Sequence, residues 1–204
     1  MRKAFDVLVG GLALTALALP AAGQTRGEAA LVTDPSPEAR EMRLSSTTFD
    51  DGSTLPLSMV YNQCPFVSGG GNTSPELSWS GAPHRTKSFV VVAFDVTAAF
   101  THWGMYNIPR GVTELRANAG AAGSPYGAQV WNDFFLGAEY DGPCPPPSVA
   151  PVVHDYEFTV YALDTTLTLP GSANFPPDAE TLWRALLGHV LDSASIHGFY
   201  STAP

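Results

Sequence analysis

Prolines and glycines divide this chain so finely that only short regular elements fit between them. There are 18 prolines and 19 glycines in 204 residues. Proline fixes φ and lacks a donor, and glycine weakens any element it interrupts, so many turns and few long helices are expected. A few stretches escape. Ser88 to Asp95 (SFVVVAFD) is a short apolar run rich in β-branched and aromatic residues, as a buried strand requires. His102 to Ile108 (HWGMYNI) reads as the next strand. His154 to Asp164 (HDYEFTVYALD) alternates, with Tyr156, Phe158, Val160 and Ala162 on one face and Asp155, Glu157, Thr159 and Tyr161 on the other. Ser193 to Tyr200 alternates again as a closing strand. One stretch is helical, Asp178 to Leu191. Pro176-Pro177 precede it, Asp178 can cap its first N–H groups, and Leu182, Leu186, Val190 with Trp183, Leu187, Leu191 make an apolar stripe. His189 falls inside it. The predicted fold is mainly β: an antiparallel β-sandwich with peripheral helices, one of them late at about 178–191. Trp79 and Trp131 are expected as core anchors.

The N-terminus has the pattern of an export signal. Arg2 and Lys3 form a positive start, Val7 to Leu19 is mostly apolar, and Ala21-Ala22-Gly23 follow Pro20. The apolar run is too short to span a bilayer comfortably. Residues 1–23 are therefore expected to be a signal peptide, 24–41 a flexible mature N-terminus, and 42–204 one domain. That length buries a sizeable core. The location implied is periplasmic or secreted, with no stable membrane insertion after cleavage. Two cysteines, Cys64 and Cys144, permit one disulfide in an exported chain, or two separate buried thiols. The net charge of −9, with no basic stripe, makes nucleic acid a poor partner and disfavours adhesion to anionic lipid surfaces.

Several segments, in order, resemble the bacterial branch of the phosphatidylethanolamine-binding, or Raf kinase inhibitor-like, family. They are Asn72-Thr73-Ser74-Pro75-Glu76-Leu77-Ser78-Trp79, the strand ending at Asp95, Thr101-His102-Trp103 running to Asn107-Ile108-Pro109, Gly142-Pro143-Cys144-Pro145-Pro146, and His154-Asp155-Tyr156 with the strand after it. The resemblance covers roughly residues 42–202 and implies a β-sandwich with a small cavity at one end. That cavity would take phosphate-like anions or phospholipid head groups. By the same resemblance Asp95, His102, His154 and Tyr156 line it, and Gly142 and Pro143 belong to a wall loop. One segment departs from the pattern. The family usually reads Asp-Pro-Asp-x-Pro after the apolar strand, and here the run is Asp95-Val96-Thr97-Ala98-Ala99. Loop rigidity and pocket charge are expected to change with it.

The residues themselves suit such a site. Either imidazole can donate an N–H to a phosphate oxygen, and a protonated one does so more strongly. Asp95 can orient an imidazole and raise its pKa. Prolines make a rigid wall, and Gly142 permits close backbone approach or φ > 0. The expected function is an exported module that binds a small anion or phospholipid head group and modulates a partner protein. Two alternatives stand beside it: an inhibitor of an extracytoplasmic peptidase, and a hydrolase or metal-dependent phosphoesterase using His102, His154 and Asp95. The chain has no HExxH or GxSxG motif, and no cofactor is implied. His84, His189 and His197 read as surface or packing residues.

Overall fold

A computed structural model describes residues 41–172 and 174–203. The expected signal peptide and almost all of the segment 24–41 lie outside the described residues. The strands are β1 (Arg43–Ser45), β2 (Ser53–Thr54), β3 (Leu77–Ser80), β4 (Ser88–Asp95), β5 (Phe100–Pro109), β6 (Glu114–Leu115), β7 (Ala128–Gln129), β8 (His154–Leu163) and β9 (Val190–Tyr200), with one α-helix, α1 (Ala179–Leu186), before the last. A three-stranded sheet runs β1-β3-β6 and a six-stranded sheet runs β2-β9-β8-β4-β5-β7. Strand pairing is antiparallel except at the edge, where β2 lies parallel to β9 with Ser53 opposite Gly198.

The chemistry of β4 explains the layering. Phe89, Val91 and Ala93 join Leu77, Trp79 and Leu115 of the small sheet in one core. Val90 and Val92 face the other way, toward Leu182 and Leu186 of α1. A strand covered on both faces needs apolar residues at every position, which is why SFVVVAFD does not alternate. β8 alternates as expected on its core face, where Tyr156, Phe158, Val160 and Ala162 are all buried. The helix reaches the sheet over Gly104 of β5, where a Cβ would lie 2.8 Å from the Leu182 side chain.

Three expectations need correction. The helix ends at Leu186, not Leu191: Gly188, at φ +80°, turns the chain and β9 begins at Val190. A left-handed glycine just past the last turn is a usual helix stop. Leu187 is therefore 77% exposed rather than part of the stripe, and His189 lies outside the helix with its Nδ1 2.9 Å from Asp164 Oδ1. The cap itself is present, since Asp178 accepts the Thr181 N–H at 2.8 Å. Trp131 is only half-buried, whereas Trp79 is in the core.

Candidate functional site

Antiparallel neighbours bring the ends of three strands together. Asp95 closes β4 and pairs with Tyr156 of β8 on one side and Phe100 of β5 on the other. His154 and His102 lie within two residues of those partners, so both imidazoles reach the same end of the sheet. His154 donates its Nδ1–H to Asp95 Oδ2 at 2.6 Å. The other Asp95 oxygen accepts the Ala98 N–H at 2.9 Å. Tyr156 stands against both rings, with centroids 5.2 Å from His102 and 6.3 Å from His154. Asp95, His102, His154 and Tyr156 are all buried.

The unusual Val96–Ala99 turn is tied down by its own residues. Thr97 Oγ1 accepts the Asp155 N–H at 3.0 Å, and Val96 N–H donates to the Asp155 carbonyl at 2.9 Å. Ala99 takes a left-handed φ of +53°, which closes the short connection to β5. The turn is thus anchored to β8 without the two prolines of the family pattern.

His102 is held from the opposite side by a polar network. Its Nδ1–H donates to the Asp141 carbonyl at 2.6 Å, and the Asp141 N–H returns to the His102 carbonyl at 3.1 Å. The Asp141 carboxylate accepts from Asn72 at 3.1 Å and from buried Asn132 at 2.8 Å. Gly142 N–H donates to Asn72 Oδ1 at 2.8 Å. Pro143 offers its carbonyl to Tyr61 N–H at 3.1 Å. Gly142 is needed for close approach alone, because a Cβ would lie 1.8 Å from the Met59 carbonyl oxygen and its φ is not positive. Cys64 and Cys144 form a disulfide, with Cα atoms 5.6 Å apart, linking the Tyr61 segment to this wall. Phe134 packs edge-on to His102 and Phe100 and stacks on Tyr61.

Burial dominates the electrostatics. It pushes the His102 imidazole below its usual range, although the Asp141 carbonyl and the carboxylates of Asp95, Asp141 and Asp133 pull the other way. Burial, and then the nearby Asp95 carboxylate, raise the Tyr156 phenol so far that it stays protonated. Among the described residues no cluster of three or more His, Cys, Asp or Glu side chains is placed to share a metal ion. His84 is exposed, and His197 sits on the outer face of the sheet, 2.9 Å from Asp155. Asp141, Asn132 and the aromatic wall of Phe100, Phe134 and Tyr61 are not apparent from the sequence. Asn72 stands out there only as part of a motif. None carries a local signal, because each works through a contact distant in the chain.

The sequence pattern of the phosphatidylethanolamine-binding protein family matches residues 45–201. A UPF0098 protein of Methanothermobacter thermautotrophicus is 39% identical over 166 residues, covering 78% of this chain and 98% of that one. The UPF0098 protein YbcL of Escherichia coli is 36% identical, covering 79% of this chain and 85% of its own length. The crystal structure of YbcL, described as a new member of the mammalian PEBP family, superposes with a TM-score of 0.68 over 79% of this chain and 98% of that chain, at 34% identity. With its sandwich, its paired histidines and these relatives, the chain belongs to the phosphatidylethanolamine-binding protein family.

Proposed function

We propose that this protein is an exported binding module whose pocket at His102 and His154 holds a small phosphate-like anion or phospholipid head group and so modulates a protein partner. One observation carries the reading. Two buried imidazoles, each with its Nδ1–H already engaged, flank Tyr156 and leave both Nε2 atoms uncommitted. Such pre-oriented polar groups in an apolar, aromatic surround are what a small-ligand site requires. The Cys64–Cys144 bond suits an oxidising compartment, which supports export.

Calorimetric titration with phosphate, phosphoethanolamine and Zn²⁺, beside a His102→Ala/His154→Ala variant, tests the reading. Saturable binding of phosphate or phosphoethanolamine that the variant loses is the expected result. Tight Zn²⁺ binding lost in the variant would redirect attention to metal-dependent hydrolysis. Anion binding equal in both proteins would remove the two histidines from the site.

A further inference from the structure

The site of His102 and His154 is short of free hydrogen-bond donors: the protonated Tyr156 O–H lies beside the Asp95 carboxylate, which can accept it. Carbonyl and carboxylate oxygens only accept, so the Nδ1 atoms of His102 and His154 must carry the protons that reach Asp141 and Asp95. In a neutral imidazole the other nitrogen is then an acceptor, so a neutral imidazole here presents a lone pair at Nε2. The wall adds little. Its run Gly142-Pro143-Cys144-Pro145-Pro146 has two N–H groups, and that of Gly142 is spent on Asn72.

Among the described residues no lysine or arginine is buried beside the two histidines. The Lys and Arg side chains among the described residues, Arg43, Arg85, Lys87, Arg110, Arg116 and Arg184, are all exposed. The charged groups acting on His102 are carboxylates from three directions: Asp95 of β4, Asp141 of the wall, and Asp133 beside it. Asp95 and Tyr156 also face His154, with Tyr200 opposite it on β9. Against such a surround a fully deprotonated oxyanion brings lone pairs to lone pairs and charge to like charge. Burial also opposes conversion of His102 to an imidazolium that could donate instead.

Resting on the anion-site reading, we propose that the pocket takes oxyacids in a proton-bearing form, the ligand's own O–H donating to an imidazole Nε2, and rejects isosteric anions that carry no proton. A phosphate monoester qualifies, because it regains its second proton on binding. A sulfate ester does not. The histidines then act as readers of the ligand's protonation rather than as its cationic clamp.

The test is a matched pair, phosphoethanolamine and ethanolamine O-sulfate, titrated into the full protein at pH about 7.5, where a phosphate monoester of second pKa ~6 has shed that proton. Calorimetry in two buffers of different ionisation enthalpy counts the protons taken up. The expected result is uptake approaching one proton per phosphoethanolamine bound. The sulfate ester should bind roughly tenfold to a hundredfold more weakly, as an unmet buried acceptor costs that much. Equal affinities, with the same uptake for both esters, would place the proton on an imidazole and overturn the proposal while leaving the anion site standing. Phosphoethanolamine binding without proton uptake would overturn it too. Binding of neither ester would remove the anion site itself, and the inference with it.

Discussion

Strand β8 carries an imidazole–carboxylate pair on each face. On the inner face His154 meets Asp95 at 2.6 Å, with side chains 10% and 3% exposed. On the outer face Asp155 meets His197 at 2.9 Å, with side chains 30% and 40% exposed. The chemistry is alike and the surroundings are not. Outside, the hydrogen bond to Asp155 is the larger effect, and His197 is pushed above its usual range. Inside, beside the His154–Asp95 pair, burial is the larger effect on His102, which is pushed below it. The contrast shows that nearby carboxylates do not by themselves raise an imidazole: at His102 burial outweighs three of them. What separates the two faces is the backing: water on one side, and on the other a layer of Asn72, Asn132, Asp141 and aromatic rings.

Removing that backing should have the largest effect. Gly142→Ala drives a Cβ into the Met59 carbonyl, and the wall must shift. We expect a loss of about 3–5 kcal/mol in urea unfolding, together with loss of phosphate binding. Gly111→Ala, where nothing lies within 4 Å, serves as control and should stay within about 0.5 kcal/mol. A Gly142→Ala protein as stable as the control would show that the inner layer is not rigid.

Opening the disulfide should cost less. Cys64 and Cys144 are 80 residues apart in sequence, so their bond restricts the unfolded chain strongly. A Cys64→Ser/Cys144→Ser variant should lose about 2–4 kcal/mol. Phosphate affinity should fall with it, while the outer His197–Asp155 pair keeps its titration by NMR. A variant that unfolds later than the parent would contradict this.

The smallest effect separates the two faces by sign. His102 has a lowered folded pKa, so below about 6.5 the unfolded chain binds the proton first. Its contribution to stability is complete above that pH and is lost as pH falls toward the folded value, with a slope of at most about 1.4 kcal/mol per pH unit. His197 is raised, so its smaller contribution is complete below about 6.5 and is lost as pH rises through its folded value. Unfolding curves across pH should show His102→Asn flattening the acid side and His197→Asn only the other. The same flattening in both variants would erase the distinction between the faces.

The sequence shows the inner pair and hides its backing. β4 and β8 are legible because burial on two faces, or on one, leaves a direct imprint on residue type. His102, His154 and Asp95 are legible through their place in ordered motifs. The network behind His102 is not, since Asn72 and Asp141 are 69 residues apart and nothing in either neighbourhood points to the other. The helix end is obscured for a different reason. Leu187, Val190 and Leu191 continue the apolar period in sequence, but Gly188 stops the helix before they can use it. The glycine is a local signal, and the apolar period that runs past it masks it.

The long reach of these contacts also bears on how the molecule is made. Asp95 and His154 are 59 residues apart, His102 and its carbonyl partner 39, and Tyr140 hydrogen-bonds to Met59 across 81. Closing loops of that size is entropically costly before any contact rewards it, and topologies dominated by such pairings fold slowly. The cluster of Asp95, His102, His154 and Tyr156 has no local precursor, so it appears only when β8 has docked on β4 and the wall has closed over β5. A ribosome-bound chain that stops short of His154 has no site at all. Assembly of these side chains is therefore a report on completed folding, and a collapsed intermediate with most of its strands formed lacks it.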